Sequence, residues 1–424
     1  MDQQFDESYV QDVLNPQPPN YPRYAGPDQI PSHIPPELVM NCGFMTGPEF
    51  LADPYKFLAS LHENYPPIFY NTTPNSNSWM LTKYDDIMFA LRSPEIFTNR
   101  DATPFPRDPN DYFFFIPQEI DPPDHRHYRK IAEPLFGVNG IKSLKEAIHQ
   151  RAAKLIDRFI EDGECQFTTA FGRPLPVSVF LDIMGLPQEM RDTFVEWGDT
   201  MIHSQNPQDI AEAFGKAVAY LQGAIAEKKA NPDEGMISVI AHAEIEGRPL
   251  TDKEVFGFVC FLWIGGLDTV YAMLNNIWVW FAQNPDRVKE IIDRPDDIEH
   301  VLHELLRRFS VTFSARVVIQ DVEIRGVQMK KGDRIFACLP AGNFDPEIFP
   351  NPLEVDFDRP RKPNLAFTAG VHSCLGSHLA KMELTAAIQE WLKRIPEFSL
   401  KPGTEITYKP GGVIGPSSVP LVWK

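Results

Sequence analysis

The sequence predicts a mainly α-helical protein with a minor β part, folded as one large unit. Helical periodicity dominates from residue 126 to about residue 308. Within that region, residues 255–282 are apolar on all sides, which is typical of a helix at the centre of a large core. After Phe309 the apolar residues alternate as they do in strands.

The elements before the helical region are short. Residues 1–48 are rich in proline and polar side chains, so we expect an extended N-terminal arm there and a folded domain over residues 49–424. The pattern then predicts a helix from Pro48, strands at 67–70 and 78–82, and a helix at 85–92. From about 97 to 123 the chain is aromatic and proline-rich, and such a long loop in a compact domain is more often functional than not.

The later elements have clearer signals. Thr251 and Glu254 form a predicted capping box at the start of the apolar helix. Strands are predicted at 313–320, 322–325 and 334–340, with Lys331-Gly-Asp333 as a turn between two of them. A further helix is predicted from just after Cys374 to about Ile395, followed by a hairpin-like tail at 406–409 and 418–422.

Composition excludes several classes of protein. The net charge of −18 argues against nucleic acid as a general partner. The five cysteines are odd in number and far apart, so they form no disulfide framework and fit a reducing compartment. The apolar segment 255–282 is long enough to cross a membrane, but Asp268 alone would cost roughly 2.5–3.5 kcal/mol there. With an acidic N-terminus that lacks a secretory signal, the protein is expected in the cytoplasm and outside the membrane.

A single cysteine lies in a glycine-bounded loop near the C-terminus, in the run Phe367-Thr-Ala-Gly370-Val-His372-Ser-Cys374-Leu-Gly376. A thiolate there can be a metal ligand or a nucleophile, and the helix that follows favours the ionised sulfur. Two alternatives remain open at this point. Cys374 could be a plain buried thiol, or His372, Cys374 and His378 could bind zinc, although no second cysteine pair stands at finger spacing.

Two further motifs lie upstream of the cysteine. Glu304 and Arg307 share one face of a helix and, taken alone, are most simply a surface salt bridge worth about 0–1 kcal/mol. The run Gly265-Gly-Leu-Asp268-Thr269 places two glycines inside the apolar helix, at a cost of roughly 1 kcal/mol each. Either a ligand approaches a locally opened helix there, with the acid and the alcohol passing protons, or the small residues serve a helix–helix contact.

Together these motifs resemble the cytochrome P450 haem-thiolate monooxygenases, over nearly the whole chain after the arm. The resemblance narrows to the camphor-hydroxylating bacterial cytochrome and its close relatives through Phe115-Ile-Pro, Asp121-Pro-Pro-x-x-Arg and Pro420-Leu-Val-Trp. It implies a single triangular α+β catalytic domain at 49–424, with a long central helix over haem b. It also implies a soluble, monomeric class I enzyme that uses O₂ and is supplied with electrons by a [2Fe–2S] ferredoxin and its NAD(P)H-dependent reductase. One departure is Thr368-Ala369, where the family often has glycine after the phenylalanine.

The resemblance also implies a role for each matching residue. Cys374 is expected to bind the iron, with backbone N–H groups after it, including that of Gly376, and Phe367 shielding the sulfur. The expected partners of the haem propionates are Arg129, Arg316, His372 and His125. Asp268 and Thr269 are expected to deliver protons during oxygen activation. The family's structural triad corresponds to Glu304, Arg307 and Arg359.

The substrate pocket is where the sequence departs from the camphor pattern. The tyrosine that donates a hydrogen bond to the ketone corresponds to Phe113, unless a shift of one residue brings in Tyr112. The expected lining is apolar and aromatic, formed by Phe113, Phe115, Ile264, Thr312, Phe313 and Val413. We therefore expect a small terpenoid, or a norisoprenoid of ionone type, rather than camphor.

Docking of the acidic ferredoxin is expected on a local basic patch formed by Arg126, Arg129, Lys130, Arg361 and Lys362. Two rival functions remain open. One is a haem-thiolate protein with other chemistry, either a peroxygenase or a haem-binding sensor, against which Asp268 and Thr269 argue. The other is a helical scaffold without haem, in which Cys374 is structural.

Overall fold

The computed structural model describes residues 30–73, 76–102, 112–204 and 206–424. The helices of the first half are α1 (Pro48–Ala52), α2 (Pro54–Asn64), α3 (Tyr84–Arg92), α4 (His125–Phe136), α5 (Val138–Lys142), α6 (Lys145–Ile156), α7 (Pro174–Met184) and α8 (Arg191–His203). Those of the second half are α9 (Pro207–Ala230), α10 (Met236–Ala241), α11 (Asp252–Leu267), α12 (Thr269–Gln283), α13 (Pro285–Asp293), α14 (Ile298–Arg308), α15 (Leu339–Asn343) and α16 (Ser377–Arg394). The predicted fold class, mainly α with a minor β part, is confirmed.

The strands form a small part beside the helices. They are β1 (Val39–Met40), β2 (Ile68–Asn71), β3 (Ser78–Leu81), β4 (Phe97–Thr98), β5 (Glu164–Gln166), β6 (Glu244–Ile245), β7 (Arg248–Pro249), β8 (Ser314–Val318), β9 (Val322–Ile324), β10 (Val327–Met329), β11 (Arg334–Ala337), β12 (Phe398–Leu400) and β13 (Pro420–Trp423). The largest described sheet has six strands in the order β1-β2-β3-β11-β8-β4, and β12, β13 and β5 form a second sheet. In the large sheet, β1 runs parallel to β2 and β3 runs parallel to β11, while the other pairs are antiparallel.

The apolar segment forms the centre of the core, as predicted. The segment Asp252–Gln283 is long and apolar enough to cross a membrane. Its most apolar stretch of 18 residues has a mean hydropathy of 1.7, but 61% of that stretch is buried inside the protein. Helix α11 packs against α7, α8, α9 and α10. The predicted capping box is confirmed at its start, since Thr251 Oγ1 accepts from the Glu254 N–H and Glu254 Oε2 accepts from the Thr251 N–H. The helix is interrupted at Asp268, where α11 ends and α12 begins.

The described part of the N-terminal arm is packed into the fold. Val39 and Met40 pair with Tyr70 and Asn71 at the edge of the large sheet. Ile34 is buried, and Phe44 lies in the core. Residues 1–29 lie outside the described residues, and the boundary at residue 48 stays a prediction.

Three local expectations differ from the structure. The helix predicted from Pro48 is divided at Asp53, where extended backbone precedes Pro54 and the Asp53 side chain caps α2. Strand β10 was not expected, and the Lys331-Gly-Asp333 turn connects it to β11. The final strand pairs with β12 and β5, where Leu421 is buried, rather than within a tail hairpin. The tail loop closes through an antiparallel Tyr408–Pro416 bridge and main-chain hydrogen bonds beside it.

Candidate active site

The loop around Cys374 is shaped by its main chain. The Cys374 N–H donates to the carbonyl oxygen of Phe367 over 3.0 Å, which closes the loop in front of α16. Gly370 has φ +75°, and a Cβ there would collide with the carbonyl oxygen of Leu91. Only glycine fits this position, because it tolerates the left-handed backbone and leaves room for α3. From α4, the Arg129 guanidinium donates to the Ser373 carbonyl over 2.6 Å and fixes the loop's other side.

The Cys374 side chain is half-buried, close to the Gly376 N–H and Arg129. Burial raises the pKa of the Cys374 thiol, while the Gly376 N–H and the charge of Arg129 act in the opposite direction. The Gly376 N–H at the start of the following helix favours the ionised sulfur, as the sequence suggests, but burial outweighs it. A coordinated metal ion deprotonates a thiol outright, so an iron ligand at this position does not depend on a low intrinsic pKa.

Beside the loop lies a cluster of four nitrogen-bearing side chains and one carboxylate. Its members are Arg129, Arg316, His125, His372 and Asp121. The rings of His125 and His372 have centroids 4.4 Å apart, and His372 Nε2 lies 3.3 Å from Asp121 Oδ1. Burial lowers the pKa of His372, and it lowers that of His125 to about 3, helped by the neighbouring His372 and Arg129. Both imidazoles are therefore neutral donors at physiological pH. His372 is directed at Asp121 rather than into a zinc site with Cys374.

Arg316 is the most informative member of this cluster. Its side chain is 2% exposed, and its guanidinium donates to Ser314 Oγ at 2.5 Å and to the Ala315 carbonyl at 2.7 Å. Within the described ranges it forms no ion pair with a carboxylate. Burial lowers its pKa to about 10, so it remains charged. A buried cation without a carboxylate partner is costly, which fits a site built for an anionic group.

The two glycines of the central helix serve different purposes. A Cβ at Gly266 would lie 2.5 Å from the Phe180 ring, so this glycine permits α7 to pack closely. A Cβ at Gly265 would have no neighbouring atom of the described chain within 4 Å. The helix–helix explanation therefore applies to Gly266, while Gly265 borders open space of the kind that a flat cofactor could occupy.

Asp268 and Thr269 lie at the break between α11 and α12. The Thr269 hydroxyl donates to the Gly265 carbonyl over 3.1 Å. Asp268 is buried, and its Oδ2 lies 3.2 Å from Nε2 of His203 at the end of α8. A small cavity borders the same carboxylate, lined by Arg173, Val177, Val195, Gly198, Asp199, Leu267 and Asp268. The acid–alcohol pair thus has both a side-chain partner and adjoining space.

The expected pocket residues form two groups. Phe113 packs edge-on against Phe115 and against Phe256 of α11, with centroids 5.4 and 4.9 Å apart. This segment lies directly on α11, because any Cβ at Gly257 would collide with the Phe114 carbonyl oxygen. The Tyr112 hydroxyl hydrogen-bonds to Asp101.

The second group lies on the C-terminal side of the chain. Thr312 and Val413 meet in an isolated antiparallel bridge. The Phe313 ring packs against the rings of Phe44 and Phe336. Ile264 is half-buried on α11, next to Gly265.

The Glu304–Arg307 pair is buried, which excludes a surface salt bridge. The two side chains are 3% and 1% exposed, with Arg307 Nη2 2.7 Å from Glu304 Oε1. Arg359 Nε lies 3.1 Å from the same oxygen. Arg307 also donates to the carbonyls of Asn343, Pro352 and Glu354. Glu304, Arg307 and Arg359 therefore tie α14 to the irregular segment before the cysteine loop.

Sequence reasoning missed the partners of Asp268. His203 comes from α8 and Arg173 precedes α7; Arg173 also pairs with Asp199, as does Lys409 from the tail. The sequence motif around Asp121 assigns this residue no role, yet it is the carboxylate at the centre of the nitrogen-bearing cluster. None of these contacts has a local spacing signal, because each joins elements far apart in the sequence.

Three features fit a haem with a sulfur ligand and two propionates. They are the cysteine in its loop, the buried Arg316 guanidinium that has no carboxylate ion pair among the described residues, and Gly265, which borders open space on the central helix. The fold and site thus define the class of haem-thiolate proteins. The family model of cytochrome P450 matches residues 298–417. The chain is 33% identical over 402 residues to the probable cytochrome P450 127A1 of Sinorhizobium fredii, covering 93% of this chain and 97% of that protein.

Solved structures agree with this relationship. The crystal structure of CYP101J2 is 30% identical, with a TM-score of 0.81, and covers 93% of this chain and 99% of that one. That of CYP101C1 is 28% identical, with a TM-score of 0.84, and covers 93% and 100%. The chain belongs to the cytochrome P450 family, as a bacterial member close to the CYP101 group. It is accordingly a haem-thiolate monooxygenase that binds haem b through a cysteine thiolate and draws electrons from a redox partner.

Proposed function

We propose that this monooxygenase hydroxylates a small hydrophobic terpenoid or a norisoprenoid of ionone type, using O₂ and electrons from a [2Fe–2S] ferredoxin and its NAD(P)H-dependent reductase. The substrate class is supported by residues 112–115, which pack on α11. The Tyr112 hydroxyl is engaged with Asp101, while Phe113 and Phe115 present only aromatic surface. With Ile264 and Val413 the proposed pocket is apolar, and Thr312 is its remaining hydroxyl. Such a pocket selects for shape and apolar area more than for a ketone.

The binding test is a panel of terpenoids, norisoprenoids and camphor-like ketones, scored by the low-spin to high-spin shift as substrate displaces the iron-bound water. We expect ionone-type compounds to bind more tightly than camphor. In Phe113→Tyr, the new hydroxyl should improve binding of a ketone by several-fold, because one hydrogen bond contributes about 0.5–1.5 kcal/mol. Phe114→Tyr is the matched control, since Phe114 packs against Arg100 and Tyr112. Tightest binding of camphor by the unmodified protein would contradict the proposed substrate class.

The proposed cofactor contacts use the cluster beside Cys374. Cys374 would be the sulfur ligand, with the Gly376 N–H directed at the sulfur and Phe367 shielding it. Arg129, Arg316, His372 and His125 would bind the propionates, with Arg316 gaining the carboxylate partner that it otherwise lacks. When bound, the haem supplies the activation of O₂. The buried Glu304, Arg307 and Arg359 would maintain the fold beneath this site.

Asp268 and Thr269 are proposed to move protons to the oxygen site. The Thr269 hydroxyl, which donates to Gly265, keeps acceptor capacity for a water molecule, and the Asp268 carboxyl can supply that water with a proton. Thr269→Ala should therefore lower the product formed per NADH consumed, and Thr269→Ser should restore most of it. Equal coupling in all three proteins would remove this role.

The proposed ferredoxin site is the basic patch of Arg126, Arg129, Lys130, Arg361 and Lys362. Arg126, Lys130, Arg361 and Lys362 are exposed, and Arg129 contacts the cysteine loop directly. An acidic partner should associate more weakly as salt rises, because the exposed charges are screened over about 10 Å at 0.1 M. Lys130→Glu should slow reduction by the ferredoxin, whereas Lys216→Glu, on α9, should leave it unchanged. Equal effects of the two reversals would contradict this docking face.

We also propose the organisation of the working protein. Residues 49–424 would form the catalytic domain and residues 1–48 an arm that precedes it. The enzyme would act as a cytoplasmic monomer. Size-exclusion chromatography of the holoprotein, with and without ferredoxin, tests the oligomeric state.

A further inference from the structure

The tail loop, residues 407–417, is attached on its inner side to the core. The Asn276 side chain on α12 donates from Nδ2 to the Ile414 carbonyl oxygen over 2.8 Å. Val413 is buried beside this contact and forms the single bridge to Thr312. The inner side of the loop therefore carries the residue that we place in the substrate pocket.

The outer side of the same loop is attached to α8. Lys409 Nζ lies 2.6 Å from Asp199 Oδ1. The carbonyl oxygen of the next residue, Pro410, lies 3.1 Å from Nδ1 of His203. Asp199 and His203 both belong to α8, so the outer side of the loop follows that helix rather than the core.

A glycine pair separates the two attachments. Gly411 has φ +140°, in a region that other residues rarely adopt. A Cβ at Gly412 would meet no atom of the described chain within 4 Å. Two successive glycines leave the backbone free to turn at this point. Val413 is the first residue beyond the pair, so it is the inner residue most affected when the outer side moves.

The Asp199 carboxylate is shared by two cations. Burial alone would raise the pKa of Asp199, but the charges of Arg173 and Lys409 outweigh burial and lower it. Arg173 is itself held by the ring of Tyr271 on α12, 4.6 Å from the ring centroid. Removal of the Lys409 charge would therefore leave Asp199 with a partner, and no uncompensated charge would be created inside the protein.

The helix that carries Asp199 lies directly on the central helix. A Cβ at Gly198 would stand 3.1 Å from Cδ1 of Leu267. Leu267 is three residues, or about one helical turn, from Ile264 of the proposed pocket. The ion pair thus connects the tail loop to the part of α8 that crosses the central helix beside that pocket.

We infer that Lys409 is a positioning residue for the substrate: its ion pair with Asp199 holds the tail loop against α8 and thereby keeps Val413 against the bound molecule. This inference rests on the proposed place of Val413 in the pocket. With the pair formed, the loop is held on both sides of its glycine pair. Without it, the outer side can turn about the glycines, and the bound molecule dissociates sooner.

The test measures dissociation from the ferric holoprotein with 4-phenylimidazole, whose imidazole nitrogen binds the iron while its phenyl ring occupies the space beside it. Stopped-flow absorbance at several concentrations gives the dissociation rate as the intercept. In Lys409→Met we expect roughly two- to fivefold faster dissociation, the size of effect that one partly exposed ion pair gives. Lys409→Arg should restore the slower rate, because a guanidinium also pairs with a carboxylate.

Lys401→Met is the matched control. Lys401 also belongs to the tail and pairs with Glu164 over 2.7 Å, but that pair joins the second sheet rather than α8. Its dissociation rate should equal that of the unmodified protein. Equal rates in Lys409→Met and Lys401→Met would overturn the inference.

Salt provides a readout that needs no change of fold. Between about 0.02 and about 0.5 M salt, screening should weaken the ion pair and bring the dissociation rate of the unmodified protein towards that of Lys409→Met. A difference between the two proteins that does not depend on salt would assign the effect to the lysine methylene groups, and it would also overturn the inference.

Val413→Ala separates the possible failures. If Val413→Ala alters 4-phenylimidazole binding while Lys409→Met does not, the proposed pocket stands and the inference fails. If Val413→Ala binds as the unmodified protein does, the place of Val413 in the pocket is refuted, and the inference with it. Binding of 4-phenylimidazole requires no terpenoid turnover. A charge-dependent effect of Lys409 in a protein that hydroxylates no terpenoid would therefore preserve the inference and refute the proposed substrate class.

Discussion

The loop around Cys374 and the helix break at Asp268 are stabilised in different ways. Main-chain contacts shape the loop: a hydrogen bond between Cys374 and Phe367, the close approach of Gly370 to Leu91, and donation by Arg129 to the Ser373 carbonyl. At the helix break, the His203 side chain from α8 contacts Asp268, and Arg173 and Lys409 both pair with the nearby Asp199. A backbone-built loop tolerates few substitutions but specifies its shape locally. A side-chain network can change its proton content without a change of fold, which suits a relay.

The largest effect is expected at Gly370. Gly370→Ala should destabilise the protein by about 2–5 kcal/mol, since a Cβ in the left-handed region costs roughly 1–2 kcal/mol and overpacking against Leu91 adds about 1–3 kcal/mol. Haem retention should fall with it. Gly403→Ala is the matched control, because Gly403 is also left-handed, with φ +81°, but a Cβ there would have no neighbouring atom within 4 Å. Thermal unfolding and haem content measure both variants, and equal losses would contradict the importance of the contact with Leu91.

A smaller effect is expected at the two glycines of the helix break. Gly266→Ala should cost about 1–3 kcal/mol by overpacking against Phe180. Gly265→Ala should stabilise the apoprotein by up to about 1 kcal/mol, because alanine is the better helix former, while weakening haem binding. Unfolding of the apoprotein and haem titration separate the two outcomes. A Gly265→Ala protein with normal haem affinity would show that the cofactor does not approach this glycine.

A pH-dependent effect is expected on α16, behind the cysteine loop. Burial raises the pKa of Glu383 well above its usual range, and its Oε2 has no hydrogen-bond partner among the described residues. The native state keeps a proton that the unfolded chain loses above about pH 4.3, so this site loses stability as pH rises, by about 1.4 kcal/mol per pH unit. Glu383→Gln should therefore gain stability relative to the unmodified protein between pH 5 and 7.

Glu390, on the same helix, is the control of opposite sign. Burial opposes its ionisation, but hydrogen bonds from His149 and Arg394 outweigh burial and lower its pKa. Its contribution is present at neutral pH and is lost as pH falls, so Glu390→Gln should be the less stable protein at pH 7. Melting temperatures across this pH range measure both differences. A pH-independent difference for Glu383→Gln would show that Glu383 is ionised in the native protein.

The same contrast explains what the sequence could predict. The spacing around Cys374, the capping box at Thr251 and the apolar segment are local patterns, and the fold class followed from them. The partners of Asp268 come from α8 and from Arg173 before α7, so only the tertiary structure brings His203 to that carboxylate. The division of labour between Gly265 and Gly266 depends on where Phe180 lies. The engagement of the Tyr112 hydroxyl by Asp101 likewise has no spacing signal.

The central claim is that Cys374 is the sulfur ligand of the haem iron. The carbon monoxide difference spectrum of the reduced holoprotein tests it most directly, with Cys165→Ser as the control because Cys165 lies away from the loop, on β5. We predict the band diagnostic of thiolate ligation in the unmodified protein and in Cys165→Ser, and its loss in Cys374→Ser. A thiolate-type band that survives in Cys374→Ser, or an imidazole-type band in the unmodified protein, would contradict the assignment.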